Sequence, residues 1–199
     1  LTFCIKAAGK ILIYRGNSSG TLLATGNTTI SAGVWTYIEV KVTINDTTGS
    51  TEVRINGVAD SALTLTNTDT RNGGTTGAID GIWAGTSNAI SASYDDYYVC
   101  NTSGSTNNNF LGDCRIDTIL PTGDGNYTQF TPSTGTAHWS LVDESTPNTT
   151  DYVSSATSGD RDCYTYPALS ALSSQTIYGV QINAAALKSD AGARSLGTM

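Results

Sequence analysis

The chain is poor in charge and poorer still in residues that do chemistry. Of its 199 residues only 14% are charged, His occurs once, Met once, and Glu at three positions, Glu39, Glu52 and Glu144. No two of the four cysteines, Cys4, Cys100, Cys114 and Cys163, have the close spacing of a zinc site, and His138 is the lone imidazole, which argues against zinc. The ten Lys and Arg are scattered singly. They form no basic stripe to hold phosphates, so nucleic acid is not an expected partner. No apolar run approaches the roughly 20 residues of a membrane span, and no membrane insertion is expected. The text opens LTFCIKAAGK, with neither an initiator Met nor a signal peptide, and its Met is the last residue, Met199. The expectation is a piece of a longer polypeptide or a processed product.

Thr, Ser, Asn and Gly fill much of what charge leaves vacant, while hydrophobic residues make up 38%. That is the composition of short strands joined by turns, with hydroxyls and amides on the surface. It is too apolar for disorder. The length suits one large or two small β domains able to bury roughly two-thirds of the unfolded surface. The net charge is −7.

Periodicity places the strands. Residues 11–15 and 21–25 flank the turn Gly16-Asn17-Ser18-Ser19-Gly20. The clearest strand covers 34–44, with Thr36, Ile38, Val40, Val42 and Ile44 on one face and Trp35, Tyr37, Glu39, Lys41 and Thr43 on the other. Alternation over this length is the signal of a half-buried strand. A polar turn over 45–50 leads to 51–56, where Val53 and Ile55 alternate with Glu52, Arg54 and Asn56. The two strands are expected to pair as a hairpin, setting Glu39 and Lys41 near Glu52 and Arg54 on a solvated face. Asn56-Gly57 is a tight-turn dipeptide, and 62–66, 78–85 and 94–100 are further strands around a polar loop at 67–76. After a polar run, 101–109, the second half reads as strands at 114–120, 127–131, 137–142 and 162–166, with a turn at Gly123-Asp124-Gly125-Asn126. Residues 177–187 form a long alternating segment whose alanines leave a helical end open. Ser189-Asp190-Ala191-Gly192 turns the chain, and 193–196 can return as a strand. The boundaries are a first β domain over 1–100, a linker over 101–111 and a smaller β domain over 112–199. The cysteines read as small apolar core residues; a disulfide between Cys100 and Cys114 across the joint is the alternative.

The tryptophan-led strand and its hairpin, VWTYIEVKVTINDTTGSTEVRINGV, with AIDGIWAG and YDDYYV after a loop, resembles the concanavalin A-like lectin/glucanase superfamily in its laminin-G-like form. The run YDDYYVCNTSGSTNNNFLGDCRIDTILPTGDGNYTQFTP, with HWSLVDE, resembles virion structural proteins of tailed bacteriophages. Together the resemblances cover 11–166. They imply an all-β chain, a lectin-like jelly-roll or β-sandwich incomplete at its N-terminus, followed by a second, smaller β-sandwich.

The resemblance also implies site residues. Glucanases of the superfamily need two carboxyls about 5 Å apart, set on alternate positions of one strand. No Glu here lies in such a motif, and the adjacent Asp95 and Asp96 would point to opposite faces of a strand, so no catalysis is expected. His138 beside Trp139 reads as a buried or edge histidine rather than a triad base. Lectin-like folds often carry structural Ca²⁺ on a late-strand Asp, a position that Asp95 or Asp96 would match; loop amides are the other use for these side chains. A weak glycan site would place Tyr97 against a sugar face with Asp96 on its hydroxyls. Asn17, Asn27, Asn45, Asn101, Asn126 and Asn148 begin N-x-[ST] triplets, which matter only in a eukaryotic secretory route. The leading expectation is a virion structural protein on the outside of a phage particle, a tail or head appendage or decoration, with weak binding to cell-surface glycans. It would work as a homo-oligomer among other virion proteins. A secreted carbohydrate-binding lectin-like module is the alternative.

Overall fold

The computed structural model describes all residues except 7, 76, 78, 80–81, 83–90, 169–174, 194 and 198–199. The chain is all-β, 29% strand and 3% helical, and divides into two compact units, Leu1–Ile116 and Asp117–Met199.

The first unit is built on two antiparallel sheets. Strands β1 (Thr2–Ile5), β2 (Lys10–Arg15) and β3 (Thr21–Thr29) lie in that order. The second sheet has β4 (Ile38–Thr43), β5 (Gly49–Ile55) and β6 (Val58–Ala59) in order, with β7 (Leu65–Thr68) also paired to β5. Ile11 and Ile13 of β2 meet Val53 and Ile55 of β5 and Leu63 in one core, edged by Phe3, Leu23, Ile38 and Leu65. β5 alternates without interruption, burying Gly49, Thr51, Val53 and Ile55. Each fully buried Ile, Leu or Val contributes about 1.5–3 kcal/mol, which makes β2 and β5 the axis of this unit.

The expected hairpin forms with the expected neighbours, Glu39 opposite Arg54 and Lys41 opposite Glu52. It is shorter than 34–44. Asn56 and Gly57 both take positive φ, 50° and 80°, so β5 turns back opposite Ile38, and 34–37 take no strand assignment although Tyr37 still bonds Asn56; Trp35 is 71% exposed. The strand expected over 62–66 is bent instead. Asp60 caps a 3-10 turn, Ser61–Leu63, through the Ala62 amide, and β7 begins two residues later.

Several other expectations are corrected. Residues 94–100 form no strand: Asp96 takes a left-handed φ of 52°, which interrupts an extended ladder. Residues 114–120 are irregular too. The strand expected over 78–85 falls for the most part outside the described residues. β1, by contrast, was not anticipated from the pattern.

In the second unit β8 (Gly123–Thr128) pairs with β11 (Asp162–Thr165), and β9 (Thr131–Pro132) with β10 (Val153–Ser154). The Gly-Asp-Gly-Asn text expected as a turn is the start of β8. A Cβ on Gly125 would sit 2.9 Å from Cys163, so this glycine serves close approach between strands rather than a reversal. Residues 137–142 carry a 3-10 turn, Trp139–Leu141, in place of a strand. Residues 177–187 take no strand or helix assignment. The turn after them forms, with the Gly192 amide donating to Asp190 Oδ1 at 3.1 Å.

Candidate functional site

The outer face of the β4–β5 hairpin should be wet, and at one end it is not. Glu39 is only 4% exposed, because 98–112 folds over it. The Tyr98 hydroxyl donates to Glu39 Oε1, and the Gly112 amide donates to the same oxygen at 3.0 Å. The Tyr37 hydroxyl lies 3.2 Å from that of Tyr98 and donates to the Gly112 carbonyl, while the Leu111 amide donates to the Tyr98 hydroxyl at 3.3 Å. Phe110 completes the cover: the Arg54 guanidinium lies 4.0 Å from its ring centroid and the Lys41 ammonium 5.9 Å, and Lys41 also donates to Asn109 Oδ1 at 3.1 Å. The cation–aromatic contacts extend the seal across the face.

The electrostatics make this cluster a tie rather than a proton relay. Burial alone would raise the Glu39 pKa, but the hydrogen bonds from Tyr98, Gly112 and Tyr37 and the charge of Arg54 outweigh it and hold the carboxyl below its ordinary range. Burial, then the hydrogen bonds to Tyr98 and Glu39, push the Tyr37 phenol up; burial, then Glu39, do the same to Tyr98. At neutral pH the acid is a fixed acceptor and the phenols fixed donors. The assignment of Glu39 to a solvated face is therefore corrected. Tyr97-Tyr98 and Phe110-Leu111-Gly112 were the signal: apolar text on both sides of a polar run.

The residues singled out from the sequence lie beside this clamp. Asp96 accepts from the Ile116 amide at 2.8 Å and from Arg115 at 3.1 Å, one bond to each carboxylate oxygen. The Ile116 amide first, and Arg115 with it, hold its pKa low. Asp95 accepts from the Asp96 amide at 2.9 Å. Among the described residues no three His, Cys, Asp or Glu side chains gather as metal ligands. A carboxylate already held by a guanidinium is a poor fit to Ca²⁺, which needs six to eight oxygens. Tyr97 is 54% exposed. Cys4, Cys100, Cys114 and Cys163 are all free thiols, half-buried rather than core. Burial, followed by the charge of Glu39, raises the Cys114 pKa.

A shallow pocket of about 340 Å³ is lined by Tyr37, Asn56, Gly57 and Asp113. Asn56 Oδ1 accepts from the Tyr37 amide at 3.0 Å, fixing the amide beside the ring. No family model, curated protein or solved structure matches the chain.

The second unit has its own polar centre. His138 Nδ1 lies 2.7 Å from Asp162 Oδ2, with both side chains buried. Asp162 also accepts from the Phe130 amide at 2.9 Å and the Tyr164 hydroxyl at 3.1 Å, and the Trp139 amide donates to Asp124 Oδ1 at 2.7 Å. Burial, then Asp162, raise the Tyr164 pKa. His138 is thus a buried histidine, as its neighbourhood suggested. Its bond to Asp162 pins the 3-10 turn to β11, and the Trp139 amide on Asp124 pins it to β8. A third buried acid, Asp60, accepts from the Asn27, Thr28 and Ala62 amides at 2.8–3.1 Å and joins β3 to the capped turn.

Proposed function

We propose that the chain is a structural component of a tailed-bacteriophage particle, carried on its outside as a tail or head appendage or decoration. In this reading it works as a homo-oligomer among other virion proteins. Contact with host-surface glycans is weak and secondary, and no hydrolysis is involved. The observation that carries the reading is the use made of buried acids. Glu39, Asp60 and Asp162 each accept from backbone amides of other segments, and Glu39 also from the Tyr98 hydroxyl. Such acids fasten loops to sheets, as a load-carrying particle component requires, and the wording of residues 94–144 points to the same class. A surface of Thr, Ser and Asn costs little side-chain entropy at repeated contacts. Mass spectrometry and antibody labelling of purified particles test the proposal. The chain should be present at a fixed stoichiometry and reachable by antibody on intact particles; its absence from particles refutes it. Turnover of β-glucans, abolished by Asp95→Asn or Asp96→Asn, refutes the non-enzymatic part.

The second reading, a secreted carbohydrate-binding lectin-like module, draws on one feature. The pocket lined by Tyr37, Asn56 and Asp113 offers a ring, an amide and a carboxylate, with Trp35 exposed two residues along. Glycan-array binding by a monomeric chain, reduced by Trp35→Ala, favours that module. Binding reduced instead by Tyr97→Ala and Asp96→Ala favours the site read from the sequence.

A further inference from the structure

The sequence holds two Asn-Gly pairs, Asn56-Gly57 and Asn72-Gly73, and the fold treats them differently. An asparagine before glycine is open to reaction with its own chain, because a residue without a Cβ leaves its amide nitrogen room to reach the side-chain carbonyl. At Asn56 that side chain is occupied. Its Oδ1 accepts from the Tyr37 amide at 3.0 Å, and the Asn56 amide donates to the Tyr37 carbonyl at 2.8 Å. The pairing of Ile55 with Val58 closes the turn around Gly57. Swinging the Asn56 side chain toward Gly57 means giving up Tyr37, within a turn whose dihedrals the hairpin sets.

Asn72 has no such hold. The chain is fastened up to the residue before it. The Thr70 amide donates to the Asn45 carbonyl at 2.9 Å, its hydroxyl to the Thr43 carbonyl at 2.8 Å, and the Arg71 amide to Asp69 Oδ1 at 3.1 Å. There the ties stop: among the described residues neither Asn72 nor Gly73 makes a hydrogen bond. Both are exposed and lie outside any strand or helix. The Asn72 side chain rests on Gly16, its atoms 3.1–3.2 Å from where a Cβ there would stand, a contact without a directional bond. Gly73 and Gly74 take positive φ, 68° and 75°, with open space where a Cβ would be, so the backbone can turn there as glycine allows. The loop asparagines Asn17, Asn45, Asn101 and Asn148 differ again. Each accepts from the amide two residues on, at 2.8–2.9 Å, and precedes a residue that carries a Cβ.

We propose that Asn72-Gly73 is a site of spontaneous covalent modification in the folded chain, and that the fold spares Asn56-Gly57. The Gly73 nitrogen attacks Cγ of Asn72. The N–Cγ bond forms, the Cγ–Nδ2 bond breaks, and ammonia leaves with the Gly73 proton. Water then opens the five-membered imide. Addition at Cγ restores the normal backbone with an aspartate at that position; addition at the main-chain carbonyl leaves a β-linked isoaspartate and a backbone longer by one carbon. Nothing is oxidised or reduced, and water is the co-reactant. Each modified chain carries one negative charge beyond the −7 of the sequence, placed against the β2–β3 turn at Gly16. Asn56 must first release its bonds to Tyr37, which puts it about tenfold behind Asn72. The reaction needs no partner and holds for either reading of the chain's function.

The test incubates the full chain at mildly alkaline pH, folded and in urea. Mass spectrometry follows the two Asn-Gly peptides, and enzymatic methylation counts isoaspartate. In the folded chain the peptide holding Asn72 should gain one mass unit, with isoaspartate, about tenfold faster than the peptide holding Asn56. In urea, where the bonds to Tyr37 are gone, the two rates should converge. Asn72→Gln, at an exposed position, should remove the gain there with an unchanged circular dichroism spectrum, because the longer side chain does not close the same ring. An Asn72 that reacts no faster than Asn56 in the folded chain overturns the proposal. So does the same preference in urea, which assigns the difference to neighbouring residues rather than to the fold. Isoaspartate that forms undiminished in the Asn72→Gln chain places the reaction elsewhere and overturns it as well.

Discussion

Replacing Glu39 by Ala probes the clamp over the β4–β5 hairpin most directly. The substitution removes the acceptor for the Tyr98 hydroxyl and the Gly112 amide. Leaving a buried donor unsatisfied costs about 1–3 kcal/mol. The half-buried Tyr98 can turn toward water, which puts its loss at the lower end. The expected destabilisation is about 2–4 kcal/mol by this count, read as a lowered urea midpoint for the first unit. Its local signature is faster hydrogen exchange at Leu111 and Gly112. The pH dependence has a definite sign. Glu39 is held below the ordinary carboxylate range in the fold, so its contribution is full above the unfolded-state pKa. It is lost as pH falls through the lower folded-state value. Glu39→Gln should flatten that acid limb, because its amide no longer titrates. A Glu39→Ala chain with an unchanged midpoint and unchanged exchange at 111–112 would refute the account of Glu39 as the fastening point.

Asp60→Ala should cost about 2–4 kcal/mol, since it strips acceptors from the Asn27, Thr28 and Ala62 amides; chemical denaturation measures it, and exchange should quicken at 27–28. Burial opposes ionisation of Asp60 but the Thr28 and Ala62 bonds win and depress its pKa, so this contribution too fades only in acid. Asp162→Ala removes the acceptor of the Phe130 amide and the Tyr164 hydroxyl and the partner of the His138 ring, and should lower the stability of the second unit by about 2–4 kcal/mol, against about 1 kcal/mol for Tyr164→Phe, by thermal unfolding. Alkylation of Cys114, followed by peptide mapping, should be slow at neutral pH because burial, and then Glu39, raise its pKa. Glu39→Gln should speed it; an unchanged rate would discount the electrostatic part.

The hairpin, its charged neighbours and the Asn56-Gly57 turn were legible because period-two alternation and turn chemistry act locally. So was the all-β class. What was not legible depended on contacts distant in sequence. Nothing near Glu39 announces that Tyr98 and Gly112, about sixty and seventy residues on, will dry it. The 94–100 text carries strand propensity, but the left-handed Asp96 and its bonds to Arg115 and Ile116 override it. Asp60 hides in the same way: the text after it read as a strand over 62–66, while its two amide partners in β3 are invisible to any local window. Gly123-Asp124-Gly125 failed for the opposite reason, since glycine marks both reversals and close strand approach, and Cys163 decides between them.

The clamp gives residues 101–106 an unusual position for protein engineering. They are exposed, yet the chain is held immediately before them at Tyr98 and soon after them at Phe110–Gly112. A foreign peptide spliced between Ser103 and Ser105 would lengthen a loop whose two ends are already fixed. Each doubling of such a loop costs only about 0.6 kcal/mol of closure entropy, less than any single tie at Glu39 is expected to supply. If the chain is carried in many copies on a particle, that loop is where an epitope or affinity tag could be displayed in a dense array without touching either sheet.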